Sequence, residues 1–145
     1  MNDKAIRRLA EVAPNIMGAF HDLGRQHPEG EKLSMRQFQA LIILNASGTL
    51  TISQFCEKLA LAPSTGTELA NRLIALNYFA KVGEHTDKRQ VVLTVTPKGL
   101  RLMEKRQLAL TEMFRQFLDP FTSEDKEKFI SSFETIWELI EKYKQ

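Results

Sequence analysis

Gly83-Glu84-His85-Thr86-Asp87-Lys88-Arg89-Gln90 is a run of turn-forming and charged residues between two β-branched and aromatic segments, Tyr78-Phe79-Ala80-Lys81-Val82 and Val91-Val92-Leu93-Thr94-Val95. Strand formers on either side of a polar turn read as a β-hairpin. The position of this hairpin decides the fold. Within Ser34–Leu100 it follows three helical segments and precedes another. Three short helices and a charged hairpin make a winged helix-turn-helix, in which one helix is presented to a groove with the hairpin tip beside it.

Upstream of the hairpin, two helix starts use the same device. Ser34-x-x-Gln37 and Thr51-x-x-Gln54 are capping boxes, and Leu33 with Phe38 and Leu50 with Phe55 supply their hydrophobic staples. The first box opens a helix carrying Phe38, Leu41, Ile42 and Leu44 that stops at Ser47-Gly48. The second opens a short helix through Leu59, with a very short strand expected at Thr49-Leu50. Leu61-Ala62-Pro63 is the turn, and Pro63 suits a first helical position, where its missing N–H costs nothing. The next helix has Leu69, Leu73 and Leu76 on one face and Ser64, Thr67, Glu68 and Asn71 on the other, with Asn77 as its C-terminal cap.

The flanks are helical too. Ile6, Leu9, Ala13, Ile16 or Met17, Phe20 and Leu23 form one apolar stripe that ends at His27-Pro28-Glu29-Gly30. Pro14 sits inside it and predicts a kink or a break. After the hairpin, Thr96-Pro97 restarts a helix with Leu100, Met103, Gln107 or Leu108, Leu110, Phe114 and Phe117 at helical spacing, until Asp119-Pro120. A last helix opens near Thr122 or Ser123, with Glu124 and Asp125 suiting its N-terminal dipole. Its stripe is Phe129, Ile130, Phe133, Ile136, Trp137 and Ile140. A short winged helix cannot cover the stripes of the end helices, which therefore predict a homodimer.

Composition narrows the function classes. The chain has 145 residues, 43% apolar and 26% charged, which suits one folded domain. Its formal charge of +2 leaves room for a local basic patch without the charge of a histone-like protein. The single cysteine, Cys56, excludes an intramolecular disulfide. No apolar run is long enough to span a bilayer, and the N-terminus leads into an amphipathic pattern, so a cytoplasmic protein without membrane contact is expected. His21, His27 and His85 are scattered, with no metal-ligand spacing, no Gly-rich phosphate loop and no catalytic constellation. The expectation is no enzyme, no metal and no cofactor.

The residues that carry chemistry lie on the third helix of the lobe and the hairpin. Ser64, Thr65, Thr67 and Asn71 have short hydroxyl and amide side chains, of a length that meets phosphates and base edges in a major groove. Lys88 and Arg89, with His85 nearby, can lie over a backbone or enter a minor groove. Asp87 lowers the positive charge there and can pair with Arg89.

In order and spacing, these segments resemble the MarR family of winged-helix transcriptional regulators. The resemblance rests on Leu50-Thr51-Ile52-Ser53-Gln54-Phe55-Cys56-Glu57-Lys58-Leu59, then Ser64-Thr65-x-Thr67 and Asn71-Arg72-Leu73, then Asp87-Lys88-Arg89 and Leu93-Thr94-Val95-Thr96-Pro97-Lys98-Gly99. It implies a mainly α, winged helix-turn-helix protein in one MarR-like domain. The DNA-binding lobe spans residues 34–97, and residues 1–27 and 98–145 form dimerisation helices. It also implies a ligand-responsive repressor that binds a pseudo-palindromic operator in double-stranded DNA as a homodimer. Arg72 and Glu68 join the DNA-binding set. The chain departs from the family's usual pattern at Gly66, where a branched apolar residue is common, and at Glu68, where a basic one is. Glycine in an exposed helix costs about 1 kcal/mol relative to alanine. The departure predicts a mobile recognition helix; Gly66 lies on its buried side, and alanine there would stabilise the helix if the site can take a methyl. Glu68 either repels phosphate or accepts from a cytosine amino group.

Two further features are read the same way. Cys56 is expected to be a buried, inert core thiol, since reactivity needs a thiolate and access. Thiol-sensing relatives keep their cysteine in the first helix, where this chain has none. The aromatic stripe Phe114, Phe117, Phe121, Phe129, Phe133 and Trp137 reads as core, dimer interface or the wall of an effector pocket, for which Met17, Phe20 and Phe38 are candidates. The alternative function is a winged-helix protein-interaction module without DNA binding, which Gly66, Glu68 and the modest charge favour.

Overall fold

The computed structural model describes residues 2–25, 33–83 and 91–144. Six helices and three strands follow in the order α1 (Asp3–Arg25), α2 (Met35–Ser47), β1 (Leu50–Thr51), α3 (Ile52–Lys58), α4 (Pro63–Ala75), β2 (Phe79–Val82), β3 (Val92–Val95), α5 (Pro97–Leu118) and α6 (Ser123–Lys142). The chain divides into two compact units, residues 28–109 and residues 1–27 with 110–145, so one boundary falls inside α5.

The first unit is the winged helix. Both capping boxes form. The Ser34 and Thr51 hydroxyls accept from the Gln37 and Gln54 backbone N–H groups at 3.1 Å, and each glutamine side chain accepts from the cap's own N–H. Reciprocal caps of this kind satisfy two orphan donors at each helix start. All four staple residues, Leu33, Phe38, Leu50 and Phe55, are buried. The sheet order is β1-β3-β2, all antiparallel, with Leu93 opposite Leu50 on one side and Lys81 on the other. Leu93 is fully buried, as are Leu41, Leu44, Phe55, Leu73 and Phe79. The Phe55 and Phe79 rings meet edge to face at 5.6 Å and join α3 to the hairpin.

The turn between α3 and α4 is built from two features that local sequence signals do not show. Ala60 takes a left-handed conformation, φ 53°, while its N–H donates to the Glu57 carbonyl and the Leu61 N–H to the Cys56 carbonyl. This is a Schellman ending with alanine where glycine is usual. Gly66 then comes directly under α3. A Cβ on Gly66 would overlap the Cys56 Sγ and stand 3.1 Å from the Cys56 Cβ. The buried stripe of α4 is Gly66, Ala70 and Leu73, whereas Leu69 is half-buried and Leu76 exposed. The expected leucine face is thus corrected to one led by small residues, because α3 and α4 approach too closely for larger ones. Gly66 is buried, as expected, but the room for a methyl on which a stabilising alanine depended is absent, and the glycine serves packing.

The second unit contains α1, the end of α5, and α6. α1 is continuous through Pro14, so no break occurs. Ala10, whose carbonyl loses its N–H partner to the proline ring, is an exposed residue, where the lost bond costs least. Phe20 meets Phe114 at 5.9 Å and Phe133 at 5.4 Å, and Phe129 meets Phe117 at 5.5 Å and Phe133 at 5.0 Å. Met113 is buried here and Leu102 and Met103 in the other unit, while Leu108 is exposed. The expected α5 stripe is corrected accordingly. Thr122 caps α6 by accepting from the Asp125 N–H at 3.1 Å. No described residue of α6 is buried, and Leu9, Met17 and Trp137 are 65%, 70% and 58% exposed.

Two glycine–alanine exchanges in the turn should have opposite signs. Gly66→Ala should destabilise the fold by about 1–3 kcal/mol, the usual cost of overpacking. Ala60→Gly should stabilise it by about 0.5–1 kcal/mol, because glycine carries no left-handed penalty. Denaturant unfolding of both variants measures these differences.

Candidate nucleic-acid interface

Helix α4 is held at both ends. Pro63 occupies its first turn and Ala62 precedes it without a side-chain cap, so no side chain competes for the first N–H groups. Such groups are suited to an anion. At the other end Asn77 is left-handed, φ 63°, with its N–H donating to the Ile74 carbonyl and the Tyr78 N–H to the Leu73 carbonyl. Asn77 therefore sits one residue beyond the cap proper, in the left-handed slot of a Schellman motif. Lys98 Nζ donates to the Leu76 carbonyl at 3.3 Å and lies 5.1 Å from the Tyr78 ring centroid. A cation there complements the negative end of the helix dipole.

Between these ends α4 shows solvent a polar face. Ser64, Thr65, Glu68, Asn71 and Arg72 are exposed and Thr67 is half-buried. Thr67 and Asn71 border a cleft of about 600 Å³, whose other polar walls are Ser53 and Glu57 of α3 and Lys81 of β2. Lys81 is a cation that sequence reasoning did not assign to this surface. Its signal was a lone lysine in an otherwise apolar strand. His85, Lys88 and Arg89 lie outside the described residues.

Cys56 lines the bottom of the cleft and is buried, with its Sγ 3.9 Å from the Pro63 carbonyl oxygen. Burial pushes its thiol above the usual range, against a smaller lowering by a backbone hydrogen bond. The protonated form is favoured, as in an inert core cysteine.

A second, more apolar cavity of about 770 Å³ lies within the unit of α1 and α6. Phe20 lines it, with Phe117, Phe129 and Phe133, and its polar residues are Thr122, Asp125, Lys128 and Ser132. Met17 is exposed and is not on its wall. Phe38 is buried in the winged-helix unit, with the Arg106 guanidinium 5.9 Å from its ring centroid. The three candidate pocket residues are therefore not brought into this one cavity. Among the described residues, no helix is long and apolar enough to cross a membrane.

This architecture has close counterparts. Residues 33–91 match the model of the MarR family. A Bacillus subtilis (strain 168) protein described as the uncharacterized HTH-type transcriptional regulator YsmB is 29% identical over 126 residues, covering 82% of this chain and 86% of its own. A MarR family protein from Bacillus stearothermophilus superposes with a TM-score of 0.79 at 24% identity, covering 97% of this chain and 98% of its own. Streptococcus pneumoniae FabT, solved in complex with DNA, superposes at 0.69 with 17% identity, covering 99% of this chain and 100% of its own. The winged-helix stretch is thus similar to the MarR family, and the fold as a whole is similar to that of a solved member of that family.

Proposed function

We propose that this protein is a transcriptional regulator that binds double-stranded DNA as a homodimer and is released by a small-molecule effector. The observation that carries the reading is the exposed hydroxyl, amide and guanidinium face of α4, held at a fixed distance from α3 by the Gly66 contact. Ser64, Thr65, Thr67, Asn71 and Arg72 would enter the major groove, and Lys81 of β2, with His85, Lys88 and Arg89 from the sequence between β2 and β3, would meet the backbone or the minor groove beside it. The similarity of residues 33–91 to the MarR family, and of the chain to a relative described as an HTH-type transcriptional regulator, supports the reading. We read it as a non-enzymatic cytoplasmic repressor.

The exposed apolar faces of α1 and α6 support the dimer. Ile6, Leu9, Ile16, Ile136, Trp137 and Ile140 are all exposed in the single chain. Apolar surface of that extent marks an interaction site. Covering it with a second copy should bury more than about 2,000 Å², in the obligate class. Two α4 helices would then enter successive major grooves roughly 34 Å apart. An effector in the cavity beside Phe20 would act only through its difference in affinity for the DNA-competent and released states.

Glu68 favours the second reading, an interaction module without DNA binding, since its carboxylate stands exposed on the reading face. Salt dependence separates the two. A dimer that neutralises six or more phosphates should show a log–log slope of about −5 or steeper on random duplex DNA, whereas an interaction module shows little binding at any salt. Sedimentation at low micromolar concentration should show a dimer, and a well-folded monomer there would contradict the reading.

Glu68→Gln tests the role of the carboxylate. Removing a like charge near phosphates should tighten binding to every duplex alike, by about fivefold at low salt. Titration of a selected site and of random DNA checks this. A loss confined to the selected site would instead assign Glu68 to a cytosine.

A further inference from the structure

Residues 76–78, at the end of α4, and residues 96–99, at the start of α5, are joined by a dense set of contacts within the winged-helix unit. The Thr96 hydroxyl donates to the Asn77 carbonyl at 2.6 Å and lies 3.2 Å from the Tyr78 carbonyl, which also accepts from the Thr96 N–H at 3.0 Å. The same hydroxyl oxygen accepts from the Gly99 N–H at 3.0 Å and so caps α5. Lys98 Nζ reaches the Leu76 carbonyl. A Cβ on Gly99 would overlap the Tyr78 carbonyl oxygen and stand 3.0 Å from the Val95 Cγ1, so only glycine lets α5 start this close to the end of α4. One hydroxyl thus caps α5 and binds the residues that directly follow α4.

We infer that Thr96, with Lys98 and Gly99, is a positioning residue for DNA reading. Although outside the helix-turn-helix, it locks the C-terminal end of the recognition helix to the first turn of α5, so that the pose of α4 follows α5. The inference rests on the proposed DNA-reading dimer. Its physical content is stiffness. The carbonyls at and just beyond a helix end otherwise find water, and a helix end held only by water can pivot. Here Leu76, Asn77 and Tyr78 each give a carbonyl to the start of α5. α5 is one continuous helix across the boundary between the two units, so its first turn is covalently continuous with the segment expected to dimerise. A dimer with stiff reading heads discriminates between half-site spacings. Inserting one base pair rotates a half-site by about 34°, and loose heads tolerate that rotation.

The test uses full-length protein with Thr96→Val, which keeps the shape and removes the hydroxyl, and Thr96→Ser, which keeps the hydroxyl. Ser34→Ala serves as control, losing a helix cap elsewhere in the unit. Two quantities are read. One is hydrogen exchange at the Leu76, Asn77 and Tyr78 amides of the free protein. The other is the affinity ratio between a duplex selected from a random pool and the same duplex with one base pair inserted between half-sites. Loss of stability alone lowers affinity for both duplexes equally and leaves the ratio unchanged. Thr96→Val should speed exchange at those amides by about tenfold without changing it at Leu41 and Leu44 of α2. It should also lower the ratio several-fold, whereas Thr96→Ser and Ser34→Ala keep both at the wild-type value. An unchanged ratio in Thr96→Val overturns the positioning role, and unchanged exchange overturns the lock itself. If wild type selects no duplex, the DNA-reading proposal fails, and the exchange measurement still decides the lock.

Discussion

At Gly66 the backbone of α4 lies directly against the Cys56 side chain of α3, and the reading head depends on that approach. The Cys56 side chain fills the space a side chain on Gly66 would need, so the two helices are set at a distance that only this pairing allows. From that distance follow the buried stripe of Gly66, Ala70 and Leu73 on the inner side of α4 and the display of Ser64, Thr65, Glu68, Asn71 and Arg72 on the outer side. The turn that makes the approach possible bends through Ala60 in a left-handed conformation that alanine adopts at a cost of about 1–2 kcal/mol. Packing of the fully buried Phe55 and Phe79 stands against that strain. The same burial leaves Cys56 a protonated spacer with little nucleophilic character.

What could be read from the sequence was local. The two capping boxes, the Pro63 helix start, the hairpin strands and the Thr122 cap are each specified by residues within a few positions of one another, and all form as read. What could not be read depends on a neighbour distant in the chain. Gly66 could be placed on the buried side of α4, but nothing near it in sequence announces the Cys56 side chain against it. Ala60 carries no sign of its left-handed φ. Pro14 looked like a break, because its own sequence does not tell that Ala10, whose carbonyl is orphaned, is an exposed residue. The α5 stripe was misplaced at Leu108, which is exposed, whereas Leu102, Met103 and Met113 are buried.

The candidate site divides along the same line. The α4 face was legible because polar residues at helical spacing mark it directly. Lys81 and Ser53 were missed because a cleft wall is assembled from β2 and α3 together, and neither segment signals it alone. Among the pocket candidates, Phe20 lies on the wall of the cavity of α1 and α6, Met17 does not, and Phe38 stands in the core of the other unit. Apolar residues share one sequence signature whether they end in a core, a cavity or an interface.

The account stands or falls on two reading helices presented one helical turn apart by a symmetric pair of chains. Hydroxyl-radical footprinting on a duplex selected from a random pool tests this most directly. It should show two protected patches on one face of the DNA, centred about 10–10.5 base pairs or a multiple of that apart and related by two-fold symmetry. A single patch, or uniform weak protection along the duplex, would contradict it.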